Sequence, residues 1–365
     1  MNERRSEIRS LTGLRGLAAC WVMVYHAEQQ VAVWHPAHVL IDHGYLAVDL
    51  FFILSGFVLA LNYGETFRHR RTPSAYVDFL KKRFARTYPL YFVVTIVCFL
   101  LTRGGVLPPF AGLDRALPPN LLLIQSWHSH AGSLNGPGWS ISSEWGAYIL
   151  FPVFCWLILR GDKSRALITI AASAVTLVIL ARLPTAWIGE QAERSGPLDI
   201  WVGSTFAPGL RCLAEFGIGV ALCRIGAHPV GKRLRSSPGI CLGVAAAVLA
   251  LLCVRGTDLA VVALFSLLVL CLSADEGVVA RFLGSGVIYF LGVISYSIYL
   301  VHDPLLEGLQ RLLAGTDLAA HRSVVTACAW VATFVLSTLS YFAIEQPARR
   351  LIGRLAIRRP VRASG

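Results

Sequence analysis

The sequence predicts an all-α polytopic membrane protein with about ten transmembrane helices and both termini on the cytoplasmic side. Three observations carry this. Of the 365 residues 55% are hydrophobic and only 15% are charged, whereas a soluble domain has about a quarter charged. Apolar stretches long enough to cross a hydrocarbon core of about 30 Å recur along the whole length. With the N-terminus inside, the cytoplasmic segments collect 24 of the 33 Lys and Arg residues and the outer loops only seven, the asymmetry expected of inner loops. No polar block is large enough to fold separately, so one domain over residues 1–365 is expected. The net charge of +12 reads as topology plus attraction to anionic lipid headgroups, and nucleic acid is not an expected partner.

In order, hydropathy places the spans at Leu11–Val33, Gly44–Asn62, Thr87–Thr102, Glu144–Leu159, Ala166–Ala181, Pro208–Cys223, Gly239–Val254, Leu259–Ala274, Leu283–His302 and Val324–Ile344. The Gly189–Thr205 region is a candidate interfacial turn. The first run is too long for a signal peptide and carries Arg15 and His26, so it is expected to remain in the mature protein. The nine cysteines lie mostly in apolar runs without paired metal or redox spacing and read as small hydrophobes. There is neither a phosphate-binding loop nor a dinucleotide fingerprint, which disfavours an ATP-driven pump. His35, His38, His43, His128 and His130 fall in outer loops at spacings that match no zinc pattern, so no metal is expected.

Chemistry begins in the first span. Arg15 and His26 are eleven residues apart, about three helical turns plus 20°, so both project from one face roughly 16 Å apart along the axis. Ionisable groups at membrane depth are costly and point to function. Asp49, counted down from the outer surface, lies near the depth of His26; it either fixes that imidazole's tautomer or bonds neighbouring backbone. Arg83 and Arg86 share a helix face and suit either bidentate phosphate contact or lipid contact and topology. The outer segment from Arg103 to Ser143 is too long for a mere connector and leads into Trp139, Ser142, Glu144 and Tyr148. Here interfacial anchoring and helix capping compete with a site. The span ending at His302 climbs to the outer surface.

In order along the chain, Leu14–Gly16 with His26, Asp49–Phe57, Arg83–Tyr91, Trp139–Glu144, Ser295–His302 and Tyr341–Pro347 resemble the acyltransferase-3 family of integral membrane O-acyltransferases. The resemblance covers nearly the full chain. It implies transfer of an acyl group, usually acetyl, from cytoplasmic acyl-CoA to a hydroxyl of a sugar or related acceptor, with no permanently bound cofactor. The family's arginine and histidine fall on Arg15 and His26, its arginine pair on Arg83 and Arg86, and its glutamate on Glu144. One departure is that Trp145 follows Glu144 where many members carry a second acidic residue. The chain is expected to be the stand-alone form, without a fused hydrolase-like domain, in a bacterial plasma membrane.

On this reading Arg15, Arg83 and Arg86 meet the anionic end of acyl-CoA. His26 serves as general base or acyl carrier, with Arg15 and Asp49 beside it in the catalytic group. Trp139, Ser142, Glu144 and His302 bind the acceptor. A transporter or flippase of anionic or lipid-linked sugars is the alternative, since it too would bury charge among ten spans; no internal repeat supports it.

Overall fold

The computed structural model describes residues 7–27, 35–69, 72–160, 162–189, 194–317 and 321–357, and these are helical with no strand. In chain order the helices are α1 (Arg9–His26), α2 (His35–Asp42), α3 (Ala47–His69), α4 (Pro73–Arg103), α5 (Leu113–Leu121), α6 (Gly138–Phe154), α7 (Lys163–Arg182), α8 (Thr185–Ile188), α9 (Ala207–Gly226), α10 (Pro229–Arg235), α11 (Pro238–Leu252), α12 (Asp258–Leu272), α13 (Gly277–Leu283), α14 (Gly286–Val293), α15 (Ser295–Leu313), α16 (Arg322–Ser340) and α17 (Gln346–Ile357). A 3₁₀ turn at His43–Leu46 joins α2 to α3. Five-residue π-helical segments at Cys155–Leu159 and Tyr341–Glu345 extend α6 and link α16 to α17.

Five helices are long and apolar enough to cross a membrane, or up to eight if each of three bent pairs is one span. The expected ten is thus not reached by length and composition. Helices α1 and α9 stand outside that set; they are 18 and 20 residues long and carry Arg15 and Arg211. One bent pair corrects a predicted span, and the other two add a short helix beyond the end of one. Leu283–His302 is broken between α14 and α15 by 68°, α11 is bent by 75° from α10, and α12 by 91° from α13. Hydropathy is blind to the first break because Ile294 is as apolar as the helices it separates, whereas residues 236–237 and 273–276 at the other two are polar, and the predicted spans began or ended there. The predicted reach of the first span beyond Ala27 to Val33 lies outside the described residues.

Close packing centres on two helix pairs in which glycine lets backbones touch, as expected where no water drives helices together. In the α3/α9 pair, a Cβ added to Gly56 would lie 2.1 Å from the Phe216 carbonyl oxygen, and one on Gly219 2.1 Å from that of Ile53. In the α1/α14 pair, a Cβ on Gly16 would lie 2.4 Å from the Gly292 nitrogen. Neither partner is a side chain that can rotate away. This seats α1 on the short broken helix and holds Arg15, one residue earlier, at a fixed height.

Gly16→Leu is therefore expected to destabilise by at least the 1–3 kcal/mol typical of overpacking, with loss of the monodisperse peak in detergent size-exclusion chromatography. Gly243→Ala, at a position where no atom lies within 4 Å, is expected to keep that peak. Equal yields of the two variants would refute the packing argument.

Candidate active site

The most buried arginine among the described residues is Arg211, 1% exposed. Its Nε donates to Asp49 Oδ1 at 3.1 Å and its Nη2 to Asp49 Oδ2. Nη1 donates to the Ile200 carbonyl at 3.1 Å and Nη2 also to that of Tyr45 at 3.4 Å. Glu215, one helical turn on, lies 3.7 Å from Nε. Both oxygens of Asp49 are thus held by an arginine. This corrects the expectation that Asp49 orients His26: a fully buried carboxylate seeks a full positive charge before a neutral ring. Arg211 is the partner that the sequence reading passed over, although it was one of two arginines within the predicted spans.

The carboxylate beside His26 is Asp303, with Oδ1 3.7 Å from Nδ1. The His302 ring lies 5.2 Å from that of His26, so the two histidines assigned to opposite tasks share one place. His302 Nδ1 faces the Ile298 carbonyl at 3.1 Å. A carbonyl only accepts, so Nδ1 carries the proton and a neutral ring keeps its lone pair on Nε2. That nitrogen is buried without a hydrogen-bond partner. The preceding loop closes against the group: a Cβ on Gly136 would lie 2.5 Å from Asp303 Oδ2, and Asn135 donates to the Leu300 carbonyl at 3.0 Å. Asp303 was missed, yet it directly follows His302; a charged residue at the end of an apolar run was the available signal. Burial pushes the carboxyl of loop residue Asp199 above the usual carboxylate range, and His26 acts against that shift.

Two cavities lie along α1. The smaller, of about 720 Å³ including its mouth, is lined by Arg15, Arg83, Arg86, Glu144, Tyr148 and Tyr299 among others. The larger, of about 1100 Å³, includes Glu7, Arg15, Arg86, Tyr289, Tyr341 and Arg349. They meet at Arg15, Val58 and Arg86, which line both. His26 lines neither, although Arg15 does; Tyr299 is the link, lining the smaller cavity with its ring 6.0 Å from that of His302. Arg83 donates to the Tyr63 hydroxyl at 3.4 Å, and its Nε is buried and unpaired.

The predicted acceptor group is dispersed. Trp139 is 9% exposed, packs edge-on against Phe52 and lies 5.8 Å from the Arg211 guanidinium. It has no open face for a sugar, because the indole is spent covering a buried charge. The Ser142 hydroxyl donates to the Leu123 carbonyl at 2.8 Å and accepts from the Ser126 amide at 3.1 Å, which ties the long loop to α6. Glu144 lines the cavity of the arginines, beside Arg15, and is not with His302. Helix α6 begins at Gly138, ahead of the predicted span start at Glu144, so hydropathy set Glu144 too close to the outer surface, and it carries no rotation about a helix, which decides which neighbour a side chain meets.

Among the described residues, His26, His302 and Asp303 are the set whose ligating atoms lie close enough, within 4.8 Å of one another, to hold a metal ion. The loop histidines are separately engaged: His43 Nδ1 donates to the Val39 carbonyl at 2.8 Å and the His128 ring stacks on Phe206.

A helical membrane scaffold with an arginine-lined cavity beside a histidine–carboxylate cluster is an arrangement suited to group transfer. The model of the acyltransferase-3 family, described as an acyltransferase domain, matches residues 8–345. The acyltransferase MdmB of Streptomyces mycarofaciens is 31% identical over 99% of this chain and 96% of its own. Protein 2 of the picA locus of Rhizobium radiobacter is 33% identical over 47% of this chain and 93% of its own. The O-acetyltransferase OatA of Staphylococcus aureus is 25% identical over 43% of this chain and 26% of its own. No solved structure matches. The chain belongs to the acyltransferase-3 family and is a membrane O-acyltransferase.

Breaking one side of a buried ion pair typically costs about 3–5 kcal/mol. Asp49→Ala is accordingly expected to lower the apparent melting temperature in detergent sharply, while the pair Asp49→Leu with Arg211→Met recovers most of it. A single variant that melts like the wild type would return Asp49 to consideration as a group acting on the substrate.

Proposed function

We propose that this enzyme moves an acyl group, most simply acetyl, from cytoplasmic acyl-CoA to a hydroxyl of a sugar or glycan acceptor, with His26 as general base. The observation that carries this is the state of Arg15 and Arg86. Both line the two cavities, and no hydrogen bond or ion pair joins either to a described residue. The two cavities gather Arg15, Arg83, Arg86 and Arg349 against Glu7 and Glu144; such an excess of guanidinium in a low-dielectric scaffold calls for an anionic ligand, and acyl-CoA is polyanionic at one end and an acylating agent at the other.

In this reading the thioester arrives through the smaller cavity and the acceptor hydroxyl from the opposite side, beside His26. His26 Nδ1 faces Asp303, which leaves Nε2 to take the hydroxyl proton. The oxygen attacks the thioester carbonyl, the C–S bond breaks, and the departing thiolate collects a proton as CoA. The 3.7 Å separation from Asp303 is longer than a hydrogen bond; such contacts commonly shorten once substrate is bound. His302, with its lone pair unpaired, binds the acceptor or relays the proton. The rival acyl-histidine route has the same balance in two steps. With both termini on the inner face of a bacterial plasma membrane, the large cavity opens to the donor side in this reading, since Glu7 and Arg349, towards the two ends of the chain, line it.

The three bent helix pairs are a feature shared with transporters, and turnover separates the readings. His26→Ala is expected to reduce acyl-CoA consumption in the presence of acceptor by about 10²–10⁴-fold, the usual contribution of a general base, with its melting curve unchanged. Asp303→Asn is expected to lose less, because it removes orientation and leaves the base. Sugar movement across proteoliposomes without release of CoA would replace the enzyme reading with the flippase.

A further inference from the structure

We infer that the larger cavity is the seat of the donor's adenine nucleotide, with Tyr289 and Tyr341 holding the base and Arg15, Arg86 and Arg349 the phosphates. This rests on the acyl-CoA reading and names residues on α14 and on the π-helical segment that the sequence analysis did not assign to the donor. Charge is the first argument. The cavity gathers three guanidinium groups against one carboxylate, Glu7. Glu7 is already committed, accepting from the Thr12 hydroxyl at 2.8 Å and from the Tyr289 hydroxyl at 2.9 Å. Arg349 is half-balanced by Glu345 at 2.8 Å, its Nε is buried without a partner, and Arg86 is its nearest like charge. Arg15 and Arg86 make no hydrogen bond or ion pair with a described residue, though Glu144 acts electrostatically on Arg15 and Arg86 on Glu345. A cluster of that kind fits a ligand with several negative charges close together, as in a pyrophosphate, better than a single carboxylate.

Shape is the second argument. Two phenol rings line the same cavity, close enough to influence one another electrostatically. Each has an arginine over it: Arg9 at 4.1 Å from the Tyr289 ring centre and Arg349 at 5.9 Å from that of Tyr341. Aromatic and guanidinium planes side by side are a favourable surface for a heteroaromatic base. The π-helical segment has a purpose here. One extra residue per turn at Tyr341–Glu345 lets Tyr341 face the cavity while Glu345 turns inward to accept from the Ser297 hydroxyl. Such insertions are common at functional sites. In this assignment the thin arm crosses where Arg15, Val58 and Arg86 line both cavities, with the acyl group in the smaller cavity and the nucleotide in the larger. An anionic lipid headgroup shares the phosphate chemistry and lacks the base.

The test uses the full chain in phosphatidylcholine nanodiscs, with CoA and 3′,5′-ADP as binding probes and S-acetylpantetheine as an acyl donor without nucleotide. Wild-type protein is expected to bind 3′,5′-ADP in competition with CoA. Arg349→Gln and, as an independent variant, Tyr289→Leu are expected to weaken both nucleotides about tenfold or more, the loss of a charge-assisted or stacking contact. Both variants should retain wild-type kcat/KM with S-acetylpantetheine. CoA affinity unchanged in both variants overturns the assignment while leaving the acyl-CoA reading intact, and so does an equal loss with S-acetylpantetheine, which marks a purely structural role. Phosphatidylglycerol that displaces 3′,5′-ADP from the wild type while CoA does not would assign the cavity to lipid. Wild-type protein that binds neither CoA nor 3′,5′-ADP removes the acyl-CoA reading and this site with it.

Discussion

Arginine in a low-dielectric interior must be met by negative charge, and the two ways this chain meets that demand organise the whole molecule. Arg211 finds its counter-charges within the protein, in Asp49 and Glu215, and becomes a fixed post between α3 and α9. Arg15 and Arg86 make no hydrogen bond or ion pair with a described residue and line cavities, with Glu144 the carboxylate that acts on Arg15. The same side chain is structure in one place and an invitation to a ligand in the other. Removing water from a guanidinium costs several kcal/mol, so the difference cannot be incidental to where each was placed.

The scaffold serves this division. Glycines at Gly56, Gly219, Gly16 and Gly292 bring helix backbones into direct contact, which leaves little freedom for the helices that carry the charges. The arginines sit on α1 and α4, the histidine pair at the far end of α1 and on α15. Because α15 starts at a 68° break from α14, its residues approach α1 from a direction a straight span would not allow. Tyr299 is held by the Ser140 hydroxyl at 2.7 Å and donates to the Pro137 carbonyl at 3.2 Å. It thereby couples the loop before α6 to the boundary between the cavity and the histidines. The long outer segment is likewise tied down, by Ser142 and by Gln125, which donates to the Tyr91 hydroxyl and the Gly138 carbonyl. It forms a wall of the site more than a free loop over it.

Membership of the acyltransferase-3 family holds for residues 8–345 as a whole, and geometry rearranges the partnerships expected of the residues that resemblance had singled out. Glu144 joins the arginines, His302 joins His26, and Asp303 takes the place intended for Asp49. Trp139 and Ser142 become supports. The arrangement separates a cation-rich cavity from a histidine–carboxylate cluster, which suits the proposed transfer between two chemically unlike substrates: each would meet its own chemistry, and only the reacting groups need to come together.

Composition and the positions of charge were enough to establish a helical membrane protein and to single out Arg15 and His26, because burying an ionised group in hydrocarbon is costly wherever it falls; Arg83 and Arg86 stood out by their shared helix face. Residue order also carried the family, since its motifs are local. Pairings were another matter. Asp49 with Arg211 joins residues 162 apart, and His26 with Asp303 or Glu144 with Arg15 depends on the rotation and bending of separate helices. A hydropathy profile projects the chain onto depth alone. Which side chains face one another at a given depth is settled by helix packing, and here that packing turned on glycines and helix breaks whose effect exists only in three dimensions.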